Sequence, residues 1–157
     1  MIYLRHFLIA AITAALVPLA VTGEDGTAQI SRSTVKIITT SIRPDYNHPW
    51  KMKDPVTSVG SGAIISGGMI LTNAHVVSDA TYIQARKEND PETYEAQIMF
   101  IAHDCDLAII SVKDRAFYQN SAELEIGGIP PLRSKVATYG YPRGGTRISI
   151  TEGVTSR

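Results

Sequence analysis

The chain is poor in the features that would tie it together covalently or give it a strong field. Its 157 residues include one cysteine, Cys105, so no internal disulfide can form. Fifteen Lys and Arg balance fifteen Asp and Glu, which leaves no basic footprint for nucleic acid. There is a single tryptophan, and no segment carries a long amphipathic helical stripe, which argues against a helical bundle. With no covalent or metal staple in view, the folded part must be held by its apolar core alone.

What is present begins with a segment unlike the rest. Arg5 and His6 precede an apolar run from Phe7 to Val21, which closes on Val21-Thr22-Gly23 just before Glu24 and Asp25. A short basic start, an apolar stretch and small residues at its end read as a signal peptide over residues 1–23, and predict export to a periplasmic or secreted location. The run is shorter than the roughly 20 apolar residues of a membrane-spanning helix and contains Pro18, so no stable span is expected; an uncleaved signal serving as an anchor is the alternative. Removing the leader leaves 134 residues, enough for one modest core.

Beyond it the periodicity is that of strands. Short β-branched or alternating runs are predicted as strands over residues 33–41, 58–65, 69–72, 82–85, 94–101, 107–112, 135–141 and 147–151, with Gly67-Gly68 as a tight turn. Many short strands parted by turn residues predict an all-β antiparallel barrel or sandwich. Two stretches interrupt the pattern. Residues 43–55 form a long loop rich in proline and polar groups, and residues 117–132 form an irregular stretch placed where a linker would lie.

The chemistry is concentrated in Leu71-Thr72-Asn73-Ala74-His75-Val76-Val77 and Cys105-Asp106-Leu107-Ala108-Ile109-Ile110, whose His and Asp stand 31 positions apart. An imidazole suits a general base at neutral pH, and a carboxylate on its other ring nitrogen fixes the tautomer. His75 sits where a strand should give way to a turn, with Val76 and Val77 to anchor it. Asp106 is preferred to Asp104 because it abuts the apolar strand 107–112, which should bury it; Asp104 is expected to cap the turn. In an extended chain the two carboxylates would share a face, with Cys105 on the other, buried as a small apolar residue. The remaining histidines, His6, His48 and His103, lie outside this pattern.

Other chemistries fit less well. A zinc reading of His103-Asp104-Cys105-Asp106 lacks a second cluster of ligands, so no metal and no cofactor is expected. Glycines around Ser61, and those at 67, 68, 140, 144 and 145, mark bulges, turns or close backbone approach. Ser61 lies in a strand-like stretch before His75, and Ser111, Ser121, Ser134, Ser149 and Ser156 have no glycine-rich setting, so no catalytic serine is assigned.

Four segments together resemble the Deg/HtrA family of trypsin-like serine endopeptidases: residues 58–65, residues 67–77, residues 104–110, and Thr138 to Gly145 with the ending Gly153-Val154-Thr155-Ser156-Arg157. Pro49-Trp50 is similar to the branch known from plants. The resemblance implies a trypsin-like antiparallel β-barrel over residues 33–116, complete, after an N-terminal segment 24–32. It implies a linker over 117–134 and a second barrel only begun over 135–157. His75 would be the general base and Asp106 its orienting carboxylate, acting on polypeptide substrates such as unfolded or damaged proteins, in a full-length form that is a homo-oligomer. The family's nucleophile belongs to a glycine-rich loop beyond the segment matching 153–157, so the chain is expected to hold two thirds of a charge system and to be inactive by itself. The alternative is a non-catalytic β-barrel binding module with a vestigial pair.

Overall fold

In the computed structural model the described residues are 23–142 and 145–156. The proposed leader lies outside them apart from its last residue.

All eight predicted strands are present, and no end moves by more than three residues. The first six are β1 (Thr34–Ser41), β2 (Val56–Ile65), β3 (Met69–Thr72), β4 (Ala80–Lys87), β5 (Tyr94–Ala102) and β6 (Leu107–Val112). They close an antiparallel barrel in the order β1-β2-β3-β6-β5-β4, with β4 pairing back onto β1. The expected all-β barrel is therefore the architecture observed.

Period-two alternation fills the interior. Val35 and Ile37 from β1, Ile64 from β2, Ile70 from β3 and Ile110 from β6 are fully buried beside the small residues Ala85, Ala96 and Ala108. A small barrel has room for large side chains only where small ones face them. Gly60 and Gly62 follow the same logic. A Cβ on Gly62 would lie 2.7 Å from Ile70 Cγ2, and one on Gly60 would lie 2.5 Å from Val76 Cγ1. These two glycines thus mark close approach, the last of the three meanings their positions allowed.

The two ends of β3 lead to the two ends of the barrel. Its start follows the Gly67–Gly68 turn, where both residues have positive φ (82° and 67°) as a tight hairpin requires. The Tyr118 hydroxyl donates to Gly68 O at 2.7 Å and accepts from Val112 N–H at 3.0 Å. Its neighbour Phe117, on a 3₁₀ turn over Arg115–Tyr118, is fully buried and meets Tyr94 and Tyr118 edge to face at 5.2 and 5.1 Å. Phe117, placed by the sequence pattern at the head of the linker, packs as part of the barrel core. The other end of β3 runs into a single helical turn, α2 (Ala74–Val77), whose Val77 is also buried in the core.

Two segments outside the strands have local structure of their own. Residues 23–33 form a helix, α1 (Gly23–Ser33), where the sequence pattern assigned no element to the N-terminal segment 24–32; its few apolar residues give no stripe to recognise. Ser33 and Thr34 hydroxyls both donate to Ile30 O at 2.8 Å and close it. The long loop 43–55 is an ordered hairpin-like excursion: Pro44 bridges Met52, and the Asp45 carboxylate receives Asn47 N–H and the His48 ring, each at 3.0 Å.

After the barrel, β7 (Lys135–Gly140) and β8 (Ser149–Val154) pair as a two-stranded antiparallel sheet. It is tied to the barrel through Tyr141, whose N–H donates to Ser61 Oγ at 2.8 Å and whose hydroxyl donates to Glu88 at 2.6 Å. Burial, and then that bond to Glu88, keep the Tyr141 phenol protonated well above its ordinary range. Lys36, on the outer side of β1, donates to Gly145 O at 2.9 Å.

Candidate active site

The strands β3 and β6 are paired side by side, with Thr72 opposite Ala108. Each leaves the barrel one or two residues later, β3 toward α2 and β6 backward into the turn 103–106. That pairing brings His75 and Asp106 together. The Asp106 carboxylate binds His75 twice: Oδ2 lies 2.7 Å from Nδ1, and Oδ1 accepts the His75 main-chain N–H at 2.9 Å. An ionised carboxylate can only accept, so the proton of that ring bond belongs to Nδ1 and the lone pair to Nε2. Among the described residues, Nε2 has no hydrogen-bond partner.

A third side chain joins the pair. Asn73 donates from Nδ2 to the Asp106 carbonyl at 3.0 Å and to Oδ2 at 3.2 Å. The sequence pattern contained Asn73 without singling it out. Its signal is its position, two residues before His75 at the strand end, where an amide can reach whatever faces the imidazole.

Several expectations about the aspartate need correction. The chain at 103–106 is a turn, closed by Asp106 N–H to His103 O at 3.3 Å, and Asp106 has a φ of +54°. The two-residue face argument therefore does not apply; the choice of Asp106 over Asp104 rested on its place before the apolar strand, and Asp106 is the carboxylate that meets His75. Asp104 caps nothing: among the described residues its carboxylate has no hydrogen-bond partner. Cys105 is exposed, because a turn projects it outward where a strand would have turned it into the core. Nor is the pair buried, since the side chains of His75 and Asp106 are 71% and 47% exposed.

Electrostatics follow from the contacts. The His75 main-chain N–H, and after it the His75 ring, hold the Asp106 carboxyl below the usual carboxylate range. A carboxyl lowered in the folded state adds stability above its unfolded value, about 3.9, and loses it as pH falls through the folded value. The stability difference between the native chain and Asp106→Asn should therefore persist down to about pH 4 and shrink below it. Urea unfolding at stepped pH reads this directly; a difference that survives at acid pH would assign it to shape instead of charge.

A groove of about 650 Å³ between the barrel and β7 is lined by Asn73 and Leu107, which flank the pair, and by Leu71, Gly62, Thr138 and Tyr139 among others; neither His75 nor Asp106 lines it. Four serine hydroxyls near the barrel strands are engaged elsewhere. Ser61 binds Tyr141 N–H, Ser78 binds Ala74 O, Ser111 binds Gly68 O and Ser121 binds Phe117 O. His48 is held by Asp45 in the hairpin loop and takes no part in the pair.

A closed antiparallel barrel with an imidazole and a carboxylate joined at its rim defines the trypsin-like class. A family model described as "Trypsin-like peptidase domain" matches residues 60–157. The chain belongs to the trypsin-like peptidase domain family, and within it to the Deg/HtrA type. It is 46% identical over 125 residues to "Protease Do-like 4, mitochondrial" of Arabidopsis thaliana, covering 80% of this chain and 24% of the relative. It is 38% identical over 130 residues to "Protease Do-like 2, chloroplastic" of the same plant, covering 83% and 21%. To "Serine protease DegP homolog" of Plasmodium falciparum it is 39% identical over 126 residues, covering 80% and 14%. The chain thus spans about a quarter or less of the length of these relatives.

Proposed function

We propose that the chain is the first-barrel portion of a serine endopeptidase of Deg/HtrA type, with His75 as general base and Asp106 as its orienting carboxylate. One observation carries this reading: the 2.7 Å contact of Asp106 Oδ2 with Nδ1, which leaves Nε2 without a partner among the described residues and its lone pair available to take a proton. Asp106 stabilises the imidazolium that forms when His75 takes a serine proton. The nucleophile and its oxyanion donors come from chain that follows the segment 135–157 in a second barrel, after a linker over 117–134. Without them the pair has nothing to activate.

The substrates are polypeptides, unfolded or damaged ones first. The full-length form is an oligomer. Residues 1–23 direct export; the stretch has one arginine and no serine, which fits a secretory signal better than the Arg- and Ser-rich leaders of organelles. Mitochondrial and chloroplastic labels on the relatives make an organelle the alternative destination. No helix of the described residues is long and apolar enough to cross a membrane.

The 157-residue chain should neither hydrolyse casein nor be labelled by a fluorophosphonate probe. Labelling that His75→Ala abolishes would reveal a nucleophile within these residues. A serine in a glycine-rich loop encoded downstream of Arg157 supports the protease; a stop codon directly after Arg157 supports instead a non-catalytic barrel with a vestigial pair.

A further inference from the structure

Asn73 occupies the boundary position before α2, where an asparagine side chain ordinarily accepts from an amide of the first helical turn. It makes no such bond. The His75 N–H, one of those amides, is taken by Asp106 Oδ1, so the carboxylate of the neighbouring hairpin caps the turn. The Asn73 amide is thereby free to reach the other way, to the Asp106 carbonyl at 3.0 Å and to Oδ2 at 3.2 Å.

Asp106 needs this restraint for two reasons. Its backbone lies in the left-handed region, at a φ of +54°, which aspartate enters more readily than most residues but at a local cost that a hydrogen bond to the turn offsets. Its side chain is also 47% exposed, so water competes for both oxygens. One planar amide with two hydrogens can bond the main-chain oxygen and a carboxylate oxygen of the same residue at once. The first bond holds the backbone of the turn, and the second holds the rotation of the carboxylate.

We propose that Asn73 is a positioning residue that keeps Asp106 Oδ2 on His75 Nδ1, and so keeps the imidazole in the tautomer whose Nε2 is unprotonated. It touches no reacting atom and acts through Asp106. The proposal rests on the reading of His75 as a base, but its first test requires no catalysis.

The ring-nitrogen ¹⁵N shifts of His75 in the 157-residue chain, measured where the imidazole is neutral, report the tautomer directly. The native chain should be predominantly protonated on Nδ1. Asn73→Ala should shift the population toward the Nε2-protonated form. Asn73→Asp, which keeps the shape but replaces a donor with a charged acceptor beside Asp106, should shift it further. A side chain that only packs would give the opposite order, with Asn73→Asp close to native; that result, or a ratio unmoved in both variants, overturns the proposal. Because Asn73 is exposed, both variants should keep the amide spectrum of the folded barrel. If Asn73→Ala unfolds the chain, the isosteric Asn73→Asp still decides. In a polypeptide that joins this barrel to a serine nucleophile, Asn73→Ala should lower kcat by about 10–100-fold at nearly constant KM, the usual cost of losing a partner that orients a functional group. A tautomer shift in a protein without proteolysis upholds the positioning role and sinks the protease reading. Proteolysis with an unmoved tautomer and unchanged kcat sinks the positioning role alone.

Discussion

Asparagine in place of Asp106 should lower kcat by about 10⁴ in a polypeptide that joins this barrel to a serine nucleophile, with little change in KM. The hydrogen bonds dictate how the new amide would sit. Oδ1 accepts the His75 main-chain N–H, so the amide oxygen must take that place and the NH₂ group must take the place of Oδ2. That NH₂ faces Nδ1 and can only donate to it, which forces the ring proton onto Nε2, where the base needs its lone pair. It also faces the Asn73 amide donor across 3.2 Å, setting donor against donor. His75→Ala should cost more, about 10⁶, and adding Asp106→Asn to it should cost almost nothing further, because the two act as one unit. Asp104→Asn, at a carboxylate with no partner among the described residues, should leave kcat unchanged. Steady-state kinetics on a peptide substrate decide between the two aspartates; a large loss at Asp104 would reverse the assignment.

Phe117→Ala should destabilise the barrel by about 3–5 kcal/mol, the range for removing a fully buried phenylalanine ring. Total stabilities of single domains are roughly 5–15 kcal/mol, so this one change would remove a large share. The ring closes the end of the barrel opposite α2 and has edge-to-face partners in Tyr94 and Tyr118. Nothing nearby is placed to refill the space, since the Tyr118 hydroxyl is pinned to Gly68 O and Val112 N–H. Urea unfolding of the two chains gives the difference. A loss below about 1 kcal/mol, the scale of a surface change, would mean that the 3₁₀ turn packs only loosely on the strands.

Local pattern carried the strands because a barrel strand needs only local agreement: alternating apolar residues, β-branched side chains and a turn at each end. β6 begins and ends where Leu107 and Val112 predict. Phe117 escaped because one aromatic amid polar residues has no period, and its burial depends on strands far away in sequence. α1 escaped for a related reason, as Gly23–Ser33 lacks any apolar stripe.

At the site the division runs through single residues. Residue type and order alone singled out His75 and Asp106, since a histidine at a strand end followed by an aspartate before an apolar strand narrows the possible chemistry. The sequence also determined the alternation that fills the barrel. Only the tertiary structure decided that Asp106 lies in a left-handed turn, that Cys105 points outward, that Asn73 abandons its capping position for Asp106, and that Gly60 makes room for Val76. The physical reason is that a hydrogen bond or a close contact is a relation between two segments. Neither strand encodes it alone, and it exists only once β3 and β6 lie side by side.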